Sequence, residues 1–229
     1  MSTSTSVDTL GTVRGQGEAS HFFANKMGRI VFLALEEAAG SESLRAIFSA
    51  ARMQERLDDY PPNNFVTEFP FEELTAVQRA MDELYGPRTG RRLARRAGKA
   101  CFRIGVEDMR PVLGLVDLLF RILPLQMRAR IGFEVLAQAF NRFSDHLVHL
   151  EEDEHYFQWI TERCGVCWGR TTDAPCCDLV VGLLEEALYW LSGGADFFIE
   201  ESTCIAAGDP VCTILIGKRP LASDVPPED

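Results

Sequence analysis

Apolar residues recur at helical spacing through the first part of the chain. Between His21 and Ala39 they return every three or four positions, which predicts a helix that Gly40 ends. Ser41 is a suitable N-cap for a second helix, which extends to about Met53. Further helices are predicted over residues 69–85, 90–105, 110–123 and 125–147. The N-terminal part of the chain is therefore expected to be helical.

The hydrophobic pattern changes near residue 147. β-Branched and aromatic residues predict strands over 147–153 and 156–164, and an apolar stripe predicts a helix over 177–191. Final strands are predicted over 197–199 and 211–216. This order of elements predicts an α/β protein of the α+β type. Its N-terminal helices pack with an antiparallel sheet, and a strand–helix–hairpin unit lies at the C-terminal end.

Length and composition indicate one globular domain. The chain has 229 residues, of which 46% are apolar and 25% are charged. Residues 1–17 and 220–229 have the composition of disordered tails, and the sequence between them contains no linker and no internal repeat. A single domain is therefore predicted over residues 18–219.

Net charge and hydropathy exclude some partners. A formal charge of −11 argues against nucleic-acid binding through bulk electrostatics. The most apolar stretch, Pro111 to Leu125, is interrupted by charged residues and is shorter than the about 20 apolar residues that span a bilayer. The N-terminus lacks the apolar core of a secretory signal. We expect a soluble, cytoplasmic protein without membrane insertion.

Cysteines near the C-terminus predict a metal site. Cys204 and Cys212 flank a Gly208-Asp209-Pro210 turn, and a hairpin about this turn places their Cβ atoms roughly 5 Å apart. That distance is near the span of two thiolates on a tetrahedral zinc ion. Glu201 belongs to the same hairpin, and Cys177 opens a predicted helix, where the thiol pKa is lowered. Three thiolates and a carboxylate form a closed, structural zinc site.

Other roles for the cysteines fit the same spacing. Ordinary buried cysteines are one alternative, because free cysteine is among the most buried residue types. Cys176 adjoins Cys177 and is a substitute for it. The Cys164-Gly-Val-Cys167 pair is typical of metal binding or thiol exchange, although the loop that follows it disfavours exchange. It is also a candidate half-site with Cys204 and Cys212.

Four segments of the chain resemble the 4-vinyl reductase domain family, and the resemblance covers roughly residues 20–218. They are 160–170, 174–177, 182–187 and 201–212, of which the last is the most specific. The family is named after a presumed step of bacteriochlorophyll synthesis, the reduction of a vinyl group on a chlorophyllide. It also supplies the sensor modules of phenol- and xylene-responsive transcription activators.

The resemblance implies a ligand set, a fold and an assembly. In the sensor modules a zinc ion is held by Cys, Glu, Cys and Cys. These match Cys177, Glu201, Cys204 and Cys212 if one extra residue is allowed in the turn at 192–195. The implied fold is shared with haem-based nitric-oxide sensors and a vesicle-tethering subunit family. The resemblance also implies a homodimer and a stand-alone ligand-binding domain.

The first hypothesis for function is a binding protein. In this hypothesis the helices at 110–147 and the sheet enclose an apolar cavity for a hydrophobic or aromatic ligand. The candidate wall residues are Phe102, Phe120, Phe133, Phe140, Phe143, Tyr156 and Trp159. His146, His149 and His155 are candidate anchors or tetrapyrrole ligands. A single aromatic residue is more often plain core, and a single histidine is more often a surface or hydrogen-bonded residue.

The second hypothesis is an enzyme that reduces the vinyl group of a tetrapyrrole. Hydride delivery requires a nicotinamide or a flavin, and the sequence contains no GxGxxG motif. The sequence therefore favours a carrier or sensor over a reductase.

The third hypothesis is a partner-binding module built on a basic stripe. The stripe comprises Arg88, Arg91, Arg92, Arg95, Arg96 and Lys99. One role is contact with an anion, such as a tetrapyrrole propionate or an acidic partner. The simpler role, which we favour, is pairing with Glu72, Glu73 and Asp82 of the preceding helix.

Overall fold

The predicted α+β architecture is present in the protein. A computed structural model describes residues 21–120 and 123–221, with side chains described outside 109–122. The described helices are α1 (Asn25–Ala39), α2 (Ser41–Ala50), α3 (Phe71–Tyr85), α4 (Pro87–Phe120), α5 (Leu125–Phe143) and α6 (Asp178–Ser192). The described strands are β1 (Phe22–Ala24), β2 (Thr67–Pro70), β3 (Leu147–Glu152), β4 (Tyr156–Arg163), β5 (Phe197–Thr203) and β6 (Cys212–Pro220).

The main sheet has four antiparallel strands in the order β3-β4-β6-β5. Side chains of β4 alternate between its two faces, so Phe157, Trp159 and Thr161 are buried together. Helix α5 covers this face, where Phe133 packs edge-on against Phe157 with the ring centroids 5.9 Å apart. The sheet therefore has one face against the helices and one partly open face.

Two short strands replace the predicted starts of two helices. Strands β1 and β2 pair antiparallel, so α1 begins at Asn25 rather than His21, and α3 begins at Phe71 rather than Phe69. Strands of three and four residues are too short to show the two-residue period. These strands form because two segments that are distant in sequence pair with each other, and a local pattern contains no information on that pairing.

The predicted helices at 90–105 and 110–123 are wrong as separate elements. The structure has one helix, α4, which passes through both Gly105 and Pro111. Helices α1, α3 and α6 all pack against α4. Tertiary packing of this kind overrides the local helix-breaking preference of glycine and proline.

Helices α4 and α6 cross in backbone contact. A Cβ atom on Gly98 of α4 would lie 2.0 Å from the carbonyl oxygen of Leu179. A Cβ atom on Gly182 of α6 would lie 1.9 Å from the carbonyl oxygen of Arg95. Each helix thus presents a glycine to the backbone of the other, and this approach places the start of α6 beside α4.

The remaining boundaries shift by a few residues. Helix α5 ends at Phe143 instead of 147, and β5 continues to Thr203 instead of 199. Strand β6 reaches Pro220, one residue beyond the predicted domain. The predicted tail at 1–17, and residues 222–229 of the other, lie outside the described residues. Among the described helices, none is long and apolar enough to cross a membrane.

The α4–α6 crossing can be tested with three glycine-to-alanine variants. Gly98→Ala and Gly182→Ala should each lower the free energy of unfolding by about 3 kcal/mol or more, because the new methyl group collides with a backbone carbonyl. Gly105→Ala is the matched control within α4, where a Cβ atom meets nothing within 4 Å. It should raise the stability by about 0.5–1 kcal/mol through helix propensity. Urea denaturation measures all three, and wild-type stability of Gly98→Ala would contradict the crossing.

Candidate metal centre

Six cysteine side chains and one glutamate converge at one end of the main sheet. They come from the loop after β4, the start of α6 and the β5–β6 hairpin. All six cysteines are buried and none forms a disulfide: Cys164, Cys167, Cys176, Cys177, Cys204 and Cys212. The carboxylate is that of Glu201 in β5. Segments far apart in the sequence thus deliver soft, anionic donors to one point.

The structure brings together all four of the predicted zinc ligands. The sulfur of Cys204 lies 3.9 Å from that of Cys177 and 3.9 Å from that of Cys212, and the last two sulfurs are 4.0 Å apart. A carboxylate oxygen of Glu201 lies within 4.8 Å of the three sulfurs. Zinc–sulfur bonds of about 2.3 Å in a tetrahedron correspond to sulfur–sulfur separations of roughly 3.8 Å. The observed spacing is therefore that of ligands around a single ion.

The hairpin that carries three of these residues closes as the turn sequence predicts. Thr203 of β5 pairs with Thr213 of β6, so Cys204 and Cys212 occupy the next position towards the turn. Gly208 adopts a φ of +101°, a conformation that favours glycine. The side chain of Asp209 accepts a 2.8 Å hydrogen bond from the N–H of Cys204. Local turn chemistry thus sets the distance between two of the sulfurs.

The structure distinguishes Cys177 from its neighbour Cys176. The sulfur of Cys176 lies 3.9 Å from that of Cys204, but Cys176 belongs to neither of the four-residue sets that place one ligand atom each within 4.8 Å of the others. Cys177 belongs to both sets, and its N–H donates a 2.7 Å hydrogen bond to Oε2 of Glu201. The geometry therefore favours Cys177 as the ligand from the start of α6.

The carboxylate of Glu201 has one oxygen without a partner. Oε2 accepts the N–H of Cys177, whereas Oε1 is buried and has no hydrogen-bond partner. Burial, together with the nearby sulfur of Cys204, raises the pKa of Glu201 to about 9. An unpaired buried carboxylate is costly, and a bound cation satisfies it. The donor set therefore fits a metal ion.

The Cys164–Cys167 loop joins the same cluster. The sulfur of Cys164 lies 3.6 Å from that of Cys177, and the sulfur of Cys167 lies 3.5 Å from that of Cys212. The half-site considered from the sequence paired this loop with Cys204 and Cys212. The four-residue set that contains the loop is completed instead by Cys177 and Cys212. Spacing along the chain does not reveal which distant cysteines complete such a set.

Hydrogen bonds within the cluster favour the thiolate form at two of its sulfurs. Interactions with neighbouring cysteines, first with Cys167, lower the pKa of Cys164 and of Cys204. Hydrogen bonding to Cys164 instead raises the pKa of Cys177, which its position at the start of a helix predicted to be lowered. Cys101, which lies outside the cluster, shows the ordinary effect, because burial raises its pKa to about 12. The thiolate is the form that binds metals, so Cys164 and Cys204 are the cysteines of the cluster whose pKa favours metal binding.

A buried arginine braces the two cysteine loops against α3. Arg170 forms a 2.7 Å ion pair with Asp82 of α3 and also donates to the carbonyl oxygen of Cys176. The amide of Gln78, also on α3, donates a 2.6 Å hydrogen bond to the carbonyl oxygen of Val166. Local patterns in the sequence do not reveal these contacts, because the partners lie 88 positions apart.

The three candidate histidines have different environments. His146 is buried, and its Nε2 accepts a 2.8 Å hydrogen bond from the N–H of Gly165 in the Cys164–Cys167 loop. Burial lowers the pKa of His146, so it acts as a neutral acceptor. His149 lies at the surface, 3.5 Å from a carboxylate oxygen of Glu162, and His155 is exposed.

The candidate wall residues separate into two groups. Phe133, Phe140 and Trp159 are buried between α5 and the sheet, where the rings of Phe140 and Trp159 meet edge-on at 5.9 Å. Tyr156 lies on the opposite face of β4 from Trp159 and therefore does not line the same space.

The other candidate wall residues lie away from this layer. Phe102 is half-buried beside Trp190, with ring centroids 6.3 Å apart. Phe143 packs on Phe65 at 4.5 Å. Phe120 lies outside the described side chains. Of the candidate wall residues, the structure thus brings together Phe133, Phe140 and Trp159, all as buried core side chains.

The basic stripe on α4 pairs with α6, not with α3 as predicted. Arg95 and Lys99 both form ion pairs with Glu185 of α6. The predicted acidic partners have other contacts: Glu72 with Trp168, Glu73 with Arg56, and Asp82 with Arg170. The close α4–α6 crossing is the reason, because it brings Glu185 beside the stripe. The other side of the stripe is exposed to solvent: Arg88, Arg92 and Arg96.

Comparison with known proteins identifies the fold but no family. No family model matches the chain, and no curated protein matches it. The structure is similar to an H-NOX protein from K. algicida in the unliganded Fe(II) state, with a TM-score of 0.53 and 14% identity over 88% of this chain and 100% of that chain. It is also similar to an H-NOX protein from S. oneidensis in the Fe(II)NO ligation state, with a TM-score of 0.50 and 15% identity over 83% of this chain and 99% of that chain.

A third similar structure has a lower score. The phenol-responsive sensory domain of the transcription activator PoxR, solved with phenol, gives a TM-score of 0.48 and 18% identity over 66% of this chain and 77% of that chain. A TM-score of 0.48 does not establish a shared fold. The H-NOX structures confirm the predicted similarity to nitric-oxide sensor folds, and at such low identity they show the fold alone.

The brace between the cysteine loops and α3 predicts a large effect of Arg170→Leu. The variant removes the guanidinium donor from the half-buried Asp82 and from the carbonyl oxygen of the buried Cys176. It should lower the free energy of unfolding by about 3 kcal/mol. Arg45→Leu, at an exposed position of α2, is the matched control and should change stability by less than about 0.5 kcal/mol. Urea denaturation compares them, and equal stabilities would show that Arg170 is not a brace.

Proposed function

We propose that the protein is a zinc-containing small-molecule-binding domain, a carrier or sensor for a hydrophobic or aromatic ligand. The observation that carries the proposal is the convergence of Cys177, Cys204, Cys212 and Glu201. The spacing of their sulfurs matches a zinc tetrahedron, and Glu201 adds a buried oxygen that has no hydrogen-bond partner. Within this proposal the chain is a member of the 4-vinyl reductase domain family and forms a homodimer.

The proposed zinc ion has a structural role. Four protein ligands complete a tetrahedron and leave no position for a substrate or an activated water molecule. When bound, the ion supplies a cross-link between Cys177 at the start of α6 and the β5–β6 hairpin. The three cysteines are buried, which shields the thiolates from oxidants and competing ligands. For this reason we favour ligand binding over vinyl reduction at this centre.

The proposed ligand contacts the apolar layer between α5 and the sheet. Phe133, Phe140 and Trp159 provide aromatic surface there. The described histidine nearest to this layer is His146, whose ring centroid lies 5.5 Å from that of Phe140. Its Nε2 is already occupied by the N–H of Gly165. The geometry thus supports a ligand held by apolar contacts over a tetrapyrrole bound through His146. The H-NOX fold supports a small-molecule site.

Removal of metal ligands tests the zinc centre. Protein purified without added metal should contain zinc by elemental analysis, and a Glu201→Gln/Cys204→Ser double variant should contain less, because two of four donors are gone. Cys101→Ala is the matched control, since it removes a buried thiol of α4 outside the cluster. It should leave the zinc content unchanged. Wild-type protein without stoichiometric metal would overturn the proposal.

Fluorescence of a single tryptophan tests the ligand region. A Trp168→Phe/Trp190→Phe double variant retains only Trp159, which is 1% exposed. Titration with phenol as the probe should quench or shift its emission with saturation, because the ligand contacts the ring. In the reciprocal variant, Trp159→Phe, the two remaining tryptophans should not respond. A fluorescence response confined to the Trp159→Phe variant would place the ligand away from Trp159. If calorimetry detects no binding of phenol, phenol is not a ligand of the protein.

A further inference from the structure

The cysteine pair of the loop after β4 is not used by the proposed zinc position, yet it lies against that position. Cys164 and Cys167 approach Cys177 and Cys212 to 3.6 Å and 3.5 Å, sulfur to sulfur. These four buried sulfurs all lie within 4.8 Å of one another. A zinc–thiolate tetrahedron has edges of roughly 3.8 Å, so the four residues form a second complete ligand set.

We propose that the protein binds a second zinc ion in this four-cysteine set, beside the first, so that the centre contains two metal ions. The inference rests on the proposed function, because Cys177 and Cys212 belong to both sets. Their sulfurs, 4.0 Å apart, form the shared edge of two tetrahedra. A thiolate sulfur has enough lone pairs to bind two ions at once, so both residues act as bridges.

Each ion then has its own pair of outer ligands. Cys164 and Cys167 complete one tetrahedron, and Glu201 and Cys204 complete the other. Every residue of the cluster except Cys176 has a position in this arrangement. The partnerless Oε1 of Glu201 lies in the set that lacks the Cys164–Cys167 loop, so the two sets are chemically distinct.

A second ion leaves the net charge of the centre unchanged. Three thiolates and one carboxylate around one divalent ion have a net charge of −2. Five thiolates and one carboxylate around two divalent ions also have a net charge of −2. The second ion replaces the two protons of Cys164 and Cys167, so it forms four bonds to sulfur without adding buried charge.

The loop that supplies the second pair is held in place from several sides. Its Gly165 N–H donates to His146, and its Val166 carbonyl oxygen accepts from Gln78 of α3. The carbonyl oxygen of Cys167 accepts a 3.1 Å hydrogen bond from the N–H of Arg170. A Cβ atom on Gly165 would lie 2.6 Å from the ring of Phe23, so the loop is closely packed. Fixed ligands lose little entropy on binding, which favours an ion here.

Single ions fit the spacing better than an iron–sulfur cluster. In such a cluster inorganic sulfide separates the irons, so cysteines on different irons are held well apart. In this protein all four sulfurs of the set that contains Cys164 lie within 4.8 Å of one another. A closed set of four thiolates at this spacing is typical of structural zinc.

The number of zinc ions per chain tests the inference in the full-length protein. Native mass spectrometry and elemental analysis should find two zinc ions in the wild type and in the control variant Cys101→Ala. A Cys164→Ser/Cys167→Ser variant should retain one, held by the set with the carboxylate. The Glu201→Gln/Cys204→Ser variant should also retain one, held by the four-cysteine set. Retention of one zinc ion in each of the two double variants supports two separate zinc positions.

The contrary outcomes separate this inference from the proposed function. A single zinc ion in the wild type that survives Cys164→Ser/Cys167→Ser overturns the second position and leaves the proposed function intact. A single ion that is lost in that variant but survives Glu201→Gln/Cys204→Ser overturns both the two-ion centre and the proposed zinc ligands. Absence of zinc from the wild type overturns both proposals.

Cobalt substitution of the wild type tests the bridges without any variant. Co²⁺ replaces zinc in tetrahedral thiolate sites and is paramagnetic. As Co²⁺ is added to metal-free protein, the thiolate-to-cobalt absorption should grow until two ions are bound. The electron paramagnetic resonance signal should rise with the first ion and fall with the second, because sulfur bridges couple the two spins. A signal that grows in proportion to both ions would show separate sites and overturn the bridged centre.

Discussion

The structure depends on the burial of anionic and thiol side chains at one end of the main sheet. Burial removes from water the side chains of four residues: Cys177, Cys204, Cys212 and Glu201. One carboxylate oxygen of Glu201 has no hydrogen-bond partner. Such a group is costly in a protein interior unless a cation or donor meets it. The sulfur spacing meets the requirement of a tetrahedral ion. The start of α6 and the β5–β6 hairpin pack so that their donor atoms meet this requirement.

Two features of the fold deliver the ligands to that point. The glycine crossing of α4 and α6 sets the place where α6 begins, and therefore the place of Cys177. Arg170 and the α3 side chains Gln78 and Asp82 fix the loops that carry Cys164, Cys167 and Cys176. The aromatic layer around Trp159 lies farther along the same sheet. In the proposed function, a zinc ion at this end of the sheet would cross-link the strands and helix that border Trp159.

Local sequence signals predicted the hairpin of Cys204 and Cys212 and much of the secondary structure. The turn at Gly208 and the β-branched and aromatic residues of β4 are properties of short segments, and the structure has both the turn and the strand. Predictions from local patterns missed the strands β1 and β2. They wrongly divided α4 before Pro111 and wrongly paired the basic stripe, which includes Arg95, with α3. Each of these depends on contacts between segments that are distant in sequence.

The sequence by itself determined the donor types, the hairpin that holds Glu201, Cys204 and Cys212, and the alternation that buries one face of β4. Backbone preferences and side-chain periodicity act over a few residues, so the chain alone specifies them. Only the tertiary structure decided that Cys177 rather than Cys176 lies in one four-residue set with Glu201, Cys204 and Cys212. It also decided that Cys177 and Cys212 form a second such set with the Cys164–Cys167 loop. The physical reason is that ligand geometry is a distance between remote segments, which only their packing sets.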